Sequence, residues 1–400
     1  MPVSPYEILY SSEAIAFCRE LVRAPSLPGE ERAVADLVAA EMSLLGYDQV
    51  LRDALGDVVG VVRGAGQGPT VLYAAHMDAA PVVAPARWRH EPYAADQGEG
   101  RLWGRGVVDA KGSLAAAILA LGTLPRRHLA GQAIVCATVG GERLPGAALA
   151  HVLQHFVADR VVICEPTGLA VGLGQKGRAG LTLAADGAPA PASRPDLGVN
   201  AIYLAIEGIA RLRAMPLPQD DLLGSGTFEV LGMVSVPHPG RHAETDPRVV
   251  PDRCIVTLER RLVRGETREG VLAGEQRALA GLRGVELSVQ RGELRTYTGQ
   301  ALAADDYYPA WVGALDDPAV QQVRRALAAA GLPDGIYLAP YASDGVASAV
   351  GRQLPTILYG PGEIEKAHGI DESLRVDELQ AAFSGYQILA RAFGQACGNL

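Results

Sequence analysis

Residues 177–290 spell out a strand, helix, strand, strand, helix, strand succession, with strands at 179–185, 227–236, 253–262 and 285–290 and helices at 200–214 and 267–282. That order is self-sufficient, because its four strands close into one sheet with both helices on a single face, the ferredoxin-like arrangement. Whatever surrounds such a unit must accommodate it as an insertion. Helix-period segments within 13–46, broken at Pro25 and Pro28, precede apolar strands at 58–62 and 70–75 joined by a turn at 64–68. Further strands follow at 133–139, 160–164 and, beyond the insertion, 355–359. Strands alternating with helices build a mostly parallel sheet with helices on its faces. The expected fold is α/β: a large domain with a mixed, mostly parallel sheet flanked by helices, formed by residues 1–175 and 294–400, plus an inserted ferredoxin-like α+β domain at 176–293.

Charge and composition narrow the partners. With 36 Lys and Arg against 45 Asp and Glu, a net charge of -9 and no basic run, the footprint that phosphate backbones require is missing. No nucleic-acid partner is expected. Glu7 and Glu13 stand where a signal peptide needs a basic flank and an apolar run, and no stretch of about 18 apolar residues marks a membrane span. The expectation is a soluble, cytoplasmic protein with no membrane partner. Cys18, Cys136, Cys164, Cys254 and Cys397 lack CxxC spacing, which reads as reduced core residues, not as a disulfide framework or thiolate zinc site.

The chemistry-bearing residues sit where strands end. His76 and Asp78 follow the strand 70–75, Glu142 follows 133–139, Glu165 follows 160–164, and His368 comes shortly after 355–359. Open α/β sheets bind ligands at those carboxyl ends. With Asp109 they make two imidazoles and three carboxylates, donors suited to zinc, or to cobalt or manganese, and numerous enough for two ions. Asp109 is the best placed to bridge, since Gly104, Gly106 and Gly112 around it let backbone approach the metals closely. Asp78, two residues after His76, would accept the other imidazole N–H and orient the ring. Two other patterns lead nowhere. Gly172-Leu173-Gly174-Gln175-Lys176-Gly177 satisfies GxGxxG but precedes a strand, so no helix N-terminus is available for a pyrophosphate. No serine lies in a GxSxG motif.

Several longer motifs accompany these residues in order: Ala75-His76-Met77-Asp78, Gly104-Arg105-Gly106-Val107-Val108-Asp109-Ala110-Lys111-Gly112, Glu165-Pro166-Thr167, Gln175-Lys176-Gly177-Arg178, Val249-Val250-Pro251-Asp252 with Arg260-Arg261, and Gly360-Pro361-Gly362 through His368. From about Ile15 to Ala392 the chain resembles the di-zinc family of acetylornithine deacetylase, succinyl-diaminopimelate desuccinylase, aminoacylase and glutamate carboxypeptidase. The resemblance implies a catalytic domain carrying two zinc ions, an inserted lid that usually dimerises, and hydrolysis of an amide next to a free carboxylate. Carried over residue by residue, it implies His76 and Glu165 on one metal, Glu142 and His368 on the other, and Asp109 between them. It also implies that the guanidinium fork of Arg261 clamps the substrate carboxylate, with Gly360 and Gly362 lining the same pocket by their backbone N–H groups.

Departures from the family pattern bear directly on the reaction. The family places two adjacent glutamates after its third strand, the first as general base and the second as ligand; here they are Gly141 and Glu142. Sliding the register would bring Arg143 to the ligand position, and a guanidinium cannot coordinate zinc. Glu142 is therefore read as the ligand, and the base as absent. The lid's Ala-His pair, whose histidine reaches across the dimer to the oxyanion, is Ala190-Pro191, and Arg248 replaces an asparagine, adding a cation near the carboxylate site. A positioned base contributes roughly 10²- to 10⁴-fold and one oxyanion donor roughly 10²- to 10³-fold. Losing both would take a typical turnover of about 10 s⁻¹ to the order of 10⁻³ s⁻¹ or below. Substitute bases would be Glu363, Glu365 or Asp344, while His238 and His242 are candidates for the lost lid histidine. Three readings stay open: a metal-dependent hydrolase of a small N-acyl amino acid or dipeptide-like substrate that recruits its base elsewhere or from the substrate; a non-hydrolytic enzyme using the metals as Lewis acid and template for amide formation, acyl transfer, cyclisation or elimination; and a non-catalytic ligand-binding relative.

Overall fold

The computed structural model describes residues 5–236 and 248–393, so His238, His242 and Cys397 lie outside the described residues. A nine-stranded mixed sheet runs in the order Gln49–Arg52, Val58–Arg63, Ala130–Thr138, Gly66–His76, Arg160–Ile163, Thr356–Leu358, Val171–Gln175, Trp311–Val312, with Ile336–Ala339 also paired to Val171–Gln175. Its middle four strands, Ala130–Thr138 through Thr356–Leu358, are mutually parallel. The strands on either side of the Gly64–Gly68 turn do not pair with each other. Ala130–Thr138 lies between them, antiparallel to one and parallel to the other, because Gly64 donates its N–H to Gly131 and closes on that strand's start.

Alternation explains how this sheet is covered twice. Val71, Tyr73 and Ala75 face one apolar cluster while Leu72 and Ala74 face another, as successive side chains of a strand must. On the first side pack the helices Pro5–Arg23, Gly112–Gly122, Pro318–Ala329 and Val376–Ala392. Residues 112–121 are buried on every side, which suits an Ala/Leu-rich helix without a polar face. The helix Ala147–His155 covers the second side. Among the described residues no helix is long and apolar enough to cross a membrane, and Cys18, Cys136, Cys164 and Cys254 are free and buried.

The second large sheet has the order Thr227–Ser235, Arg253–Leu262, Gly177–Asp186, Val285–Val289, all antiparallel, with Tyr307–Tyr308 extending one edge. The helices Ala201–Arg213 and Arg268–Ala278 pack on it around a separate apolar cluster. Asn200 and Thr267 cap them by accepting the N–H groups of Ile202 and Gly270, which satisfies donors that a helix start leaves open. The second helix ends at Ala278, four residues short of the expected 282, where Gly281 and Gly284 adopt positive φ. Not anticipated was the hairpin Arg291–Arg295 with Ala301–Asp305, which brings Leu294 against Gly140.

Candidate metal centre

Register brings the expected ligands together. His76 pairs with Thr138, Ala74 with Ile163, and Ile163 with Leu358, so four parallel strands end almost level. The loops leaving them carry Glu142, Glu165 and the segment to His368. Asp109 arrives from another direction, in the loop between Arg101–Trp103 and the helix Gly112–Gly122. Two trios result, His76–Asp109–Glu165 and Asp109–Glu142–His368, each with its ligand atoms within 4.8 Å of one another. Nε2 of His76 is 2.9 Å from Oδ1 of Asp109 and 3.9 Å from Oε1 of Glu165. Nε2 of His368 is 3.1 Å from Oδ2 of Asp109 and 3.0 Å from Oε1 of Glu142.

The donor set fits two divalent ions. Ligand atoms held about 2.0–2.2 Å from a tetrahedral zinc stand roughly 3.4 Å apart, and these separations straddle that value. The tautomer of His76 adds a second argument. Its Nδ1 lies 2.9 Å from the carbonyl oxygen of Asp78, which can only accept, so Nδ1 carries the proton. In neutral His76 the Nε2 lone pair then faces two carboxylate oxygens, an arrangement that requires a cation between them. Without one the cluster holds protons instead. Burial opposes the His76 imidazolium, but hydrogen bonds to Asp109 and Asp78 keep it well above its usual value. Hydrogen bonds to Asp109 and Glu142 raise His368 to about 10. Burial, and then the charge of Asp109, push Glu165 well up. Asp109 itself, though buried, is held below the ordinary carboxylate range by its bonds to His368 and His76.

Asp78 does more than stand beside Nδ1 of His76, from which its Oδ1 lies 3.4 Å away. Its backbone carbonyl makes the close contact to His76, while its carboxylate accepts the N–H groups of Gly141 at 2.9 Å and Glu142 at 3.0 Å. It is one of four buried acids bracing this loop. Asp57 accepts Val139 N–H, Glu31 accepts Gly140 N–H, and Asp344 accepts both the Thr138 hydroxyl and Gly146 N–H. The brace draws Gly141 against His76: a Cβ on residue 141 would lie 2.5 Å from His76 Cβ and 2.8 Å from its Cγ. A side chain at position 141 would thus meet the root of the His76 ring.

A cavity of about 260 Å³ opens over both trios and is bounded on the far side by Arg178 and Arg261 of the smaller sheet. These two are cross-strand partners; Arg261 pairs with Glu259 at 2.8 Å and Arg178 with Asp306 at 2.7 Å. Arg178 and Tyr341, which also lines the cavity, were not assigned from the sequence, although Arg178 stands in one of the quoted motifs. Other expected residues are placed elsewhere. Gly360 donates its N–H to Thr167 Oγ1 and Gly362 to Glu378 Oε2, so neither N–H faces a substrate. Arg248 is exposed and does not border the cavity, because Val249 bridges to Pro191 and holds this segment beside the 188–199 loop. Glu363 and Glu365 are exposed outside the cavity. Asp344 borders it, but both its oxygens are already engaged in the brace.

Comparison with known proteins shows the family. Residues 72–392 match the sequence profile of peptidase family M20/M25/M40. The chain is a member of that family. Among its relatives, the uncharacterized protein YgeY of Escherichia coli K12 is 29% identical over 380 residues, covering 91% of this chain and 90% of its own. The succinyl-diaminopimelate desuccinylase of Caulobacter sp. is 27% identical over 227 residues, 54% of this chain and 58% of its own. In fold, the M20 protein YXEP of Bacillus subtilis, a dinuclear metal-binding peptidase, superposes with a TM-score of 0.67 at 15% identity, covering 96% of this chain and 98% of that one. Family M20 enzymes are metal-dependent hydrolases, and this chain has their mixed α/β fold together with candidate groups for two ions.

Proposed function

We propose that this M20 chain is a metal-dependent enzyme acting on the amide of a small N-acyl amino acid or dipeptide-like substrate with a free carboxylate. The single observation that carries the reading is the cavity in which both trios, sharing Asp109, face Arg261. His76, Asp109 and Glu165 would hold one ion and Asp109, Glu142 and His368 the other, most simply two zinc ions, with cobalt or manganese as alternatives. Bound there, the ions supply Lewis-acid polarisation of a carbonyl and neutralise developing charge. Arg261 takes the substrate carboxylate through its planar fork, which sets the amide over the trios. Nδ1–H of His76 stays on the Asp78 carbonyl and keeps the ring fixed. Residues 176–293 act as a lid, and the lid is also the expected homodimer contact. The exposed Leu231, Met233 and Val234 of its edge strand and the exposed Tyr203 and Ile206 of its helix support that contact.

The weak step is proton transfer. Among the described residues, the carboxylates bordering the cavity are the three proposed ligands and the engaged Asp344. Hydrolysis therefore proceeds slowly, with a base supplied by the substrate or by a ligand carboxylate. The packing of Gly141 on His76 favours a second reading, in which the same site runs a non-hydrolytic reaction such as acyl transfer or cyclisation, protected from wasteful hydrolysis. The test is a panel of N-acyl amino acids and dipeptides, each with its carboxamide analogue, presented to the zinc-loaded protein, with binding followed by calorimetry and hydrolysis by amine release. Carboxylate-bearing amides should bind at least tenfold more tightly than their analogues and turn over at least about 10²-fold below an ordinary 10 s⁻¹. Equal binding of both forms would remove the substrate assignment, and ordinary turnover would show that a base is present.

A further inference from the structure

Among the described residues Arg105 is the largest fully buried side chain, 1% exposed, four residues before Asp109. One arm of its guanidinium donates to Glu372 Oε2 at 2.6 Å, and the other donates to the backbone carbonyls of His368 at 3.0 Å and Gly369 at 3.2 Å. Glu372, also buried, turns its second oxygen back to the Asp109 loop and accepts the N–H of Val108 at 2.9 Å and of Asp109 at 3.4 Å. The ring of Trp88 covers the guanidinium at 5.2 Å. One ion pair thus ties together two segments more than 250 residues apart, the one presenting Asp109 and the one presenting His368.

The two histidines differ in what holds them. His76 is oriented through its own ring, by Nδ1–H on the Asp78 carbonyl, the usual support for a metal-binding imidazole. Among the described residues nothing in the protein meets Nδ1 of His368, whose side chain is half exposed and whose backbone stands at φ 60°. Its support comes through the main chain, from Arg105. Glu142 and Glu165 are held by neither member of the pair.

We propose that Arg105, acting through Glu372 and the His368 carbonyl, is a positioning residue that supports the second metal position more than the first. In the Asp109–Glu142–His368 trio it supports both Asp109, through the loop N–H groups on Glu372, and His368, through its carbonyl, whereas in the His76–Asp109–Glu165 trio it reaches only the shared Asp109. The proposal rests on the ligand assignment above. Lysine at 105 keeps the charge but not the fork that reaches a carboxylate and two carbonyls at once.

The experiment is calorimetric titration of the chelator-stripped full-length protein with Zn²⁺, comparing wild type, Arg105→Lys, the charge-neutral double variant Arg105→Met with Glu372→Gln, and His368→Ala as a reference for loss of the second position. Wild type should take two equivalents. Arg105→Lys and the double variant should weaken the second by about 10- to 100-fold, as loss of outer-shell support does, and leave the first within about threefold. Equal weakening of both equivalents, no change in either, or failure of every Arg105 variant to fold overturns the proposal. A wild type that binds no zinc, or a His368→Ala variant that still binds two equivalents, would instead defeat the ligand assignment.

Discussion

Replacing Gly141 by alanine tests how tightly the loop that carries Glu142 is packed on His76. The new Cβ would sit 2.5 Å from Cβ and 2.8 Å from Cγ of His76, against the roughly 3.5–4.0 Å that carbon atoms tolerate. The loop has to retreat by about 1 Å to restore that contact. It cannot retreat alone, because one carboxylate, that of Asp78, accepts both Gly141 N–H and Glu142 N–H. A 1 Å displacement carries those bonds beyond useful length, and each charge-assisted bond is worth about 1.5–3 kcal/mol. Allowing for relaxation, Gly141→Ala should cost about 2–4 kcal/mol and draw Glu142 away from His368. Urea unfolding of the metal-free protein measures the first, and zinc titration measures the second as a weakened second equivalent. Gly141→Glu introduces the same Cβ, so restoring the family's carboxylate should destabilise the protein to a similar degree without restoring ordinary hydrolysis. Unfolding of Gly141→Ala within about 0.5 kcal/mol of wild type with zinc binding unchanged, or a gain of about 10²-fold or more in hydrolysis by Gly141→Glu at full stability, would refute this packing account.

Three further outcomes follow from the same geometry. Glu31, fully buried with one oxygen unpartnered, is pushed up to about 7 by burial and by the charge of Asp78. The folded protein therefore keeps a proton there that the unfolded chain has lost from about pH 4.5 upward, so this group's contribution falls as pH rises through that window and reaches its full cost above 7. Glu31→Gln should match wild type near pH 5 and exceed it by about 2–3 kcal/mol at pH 8; urea melts showing no pH dependence in the difference would contradict this. Arg261→Ala should raise KM for a carboxylate-bearing amide by about 10- to 100-fold with a smaller effect on kcat, consistent with a lost charge-assisted pair, and a kcat effect alone would argue against a clamp. Met233→Lys in the exposed edge strand should convert a dimer to monomer in sedimentation, and an unaltered dimer would place the contact elsewhere.

Much of this was legible in the sequence because the signals are local. The strands at 253–262 and 179–185, the helix at 200–214 and the start of the helix at 267 were recovered to within two residues, since period-2 alternation and an Asn or Thr cap declare themselves within a few positions. His76, Glu142 and Glu165 follow strand ends directly, and parallel strands in register bring their ends together whatever their separation in the chain. The pairing order was less accessible. The 64–68 turn looks like a hairpin locally, and only the placement of Ala130–Thr138 makes it a crossover. Gly360 and Gly362 looked free to bind substrate, yet Thr167 and Glu378 had already taken their N–H groups.

The sequence by itself determined the α/β class, the inserted β-α-β-β-α-β unit and the identity of five metal-ligand candidates, because periodicity, caps and donor chemistry are properties of neighbouring residues. Tertiary structure alone decided what surrounds them. Asp78 reaches across to hold Gly141 and Glu142, Arg105 joins Asp109 to His368 through Glu372, and a side chain at 141 would meet the root of the His76 ring. Each of these is a contact between residues tens to hundreds of positions apart, and its existence depends on which backbone groups the packed sheet leaves within about 3 Å of a buried charge.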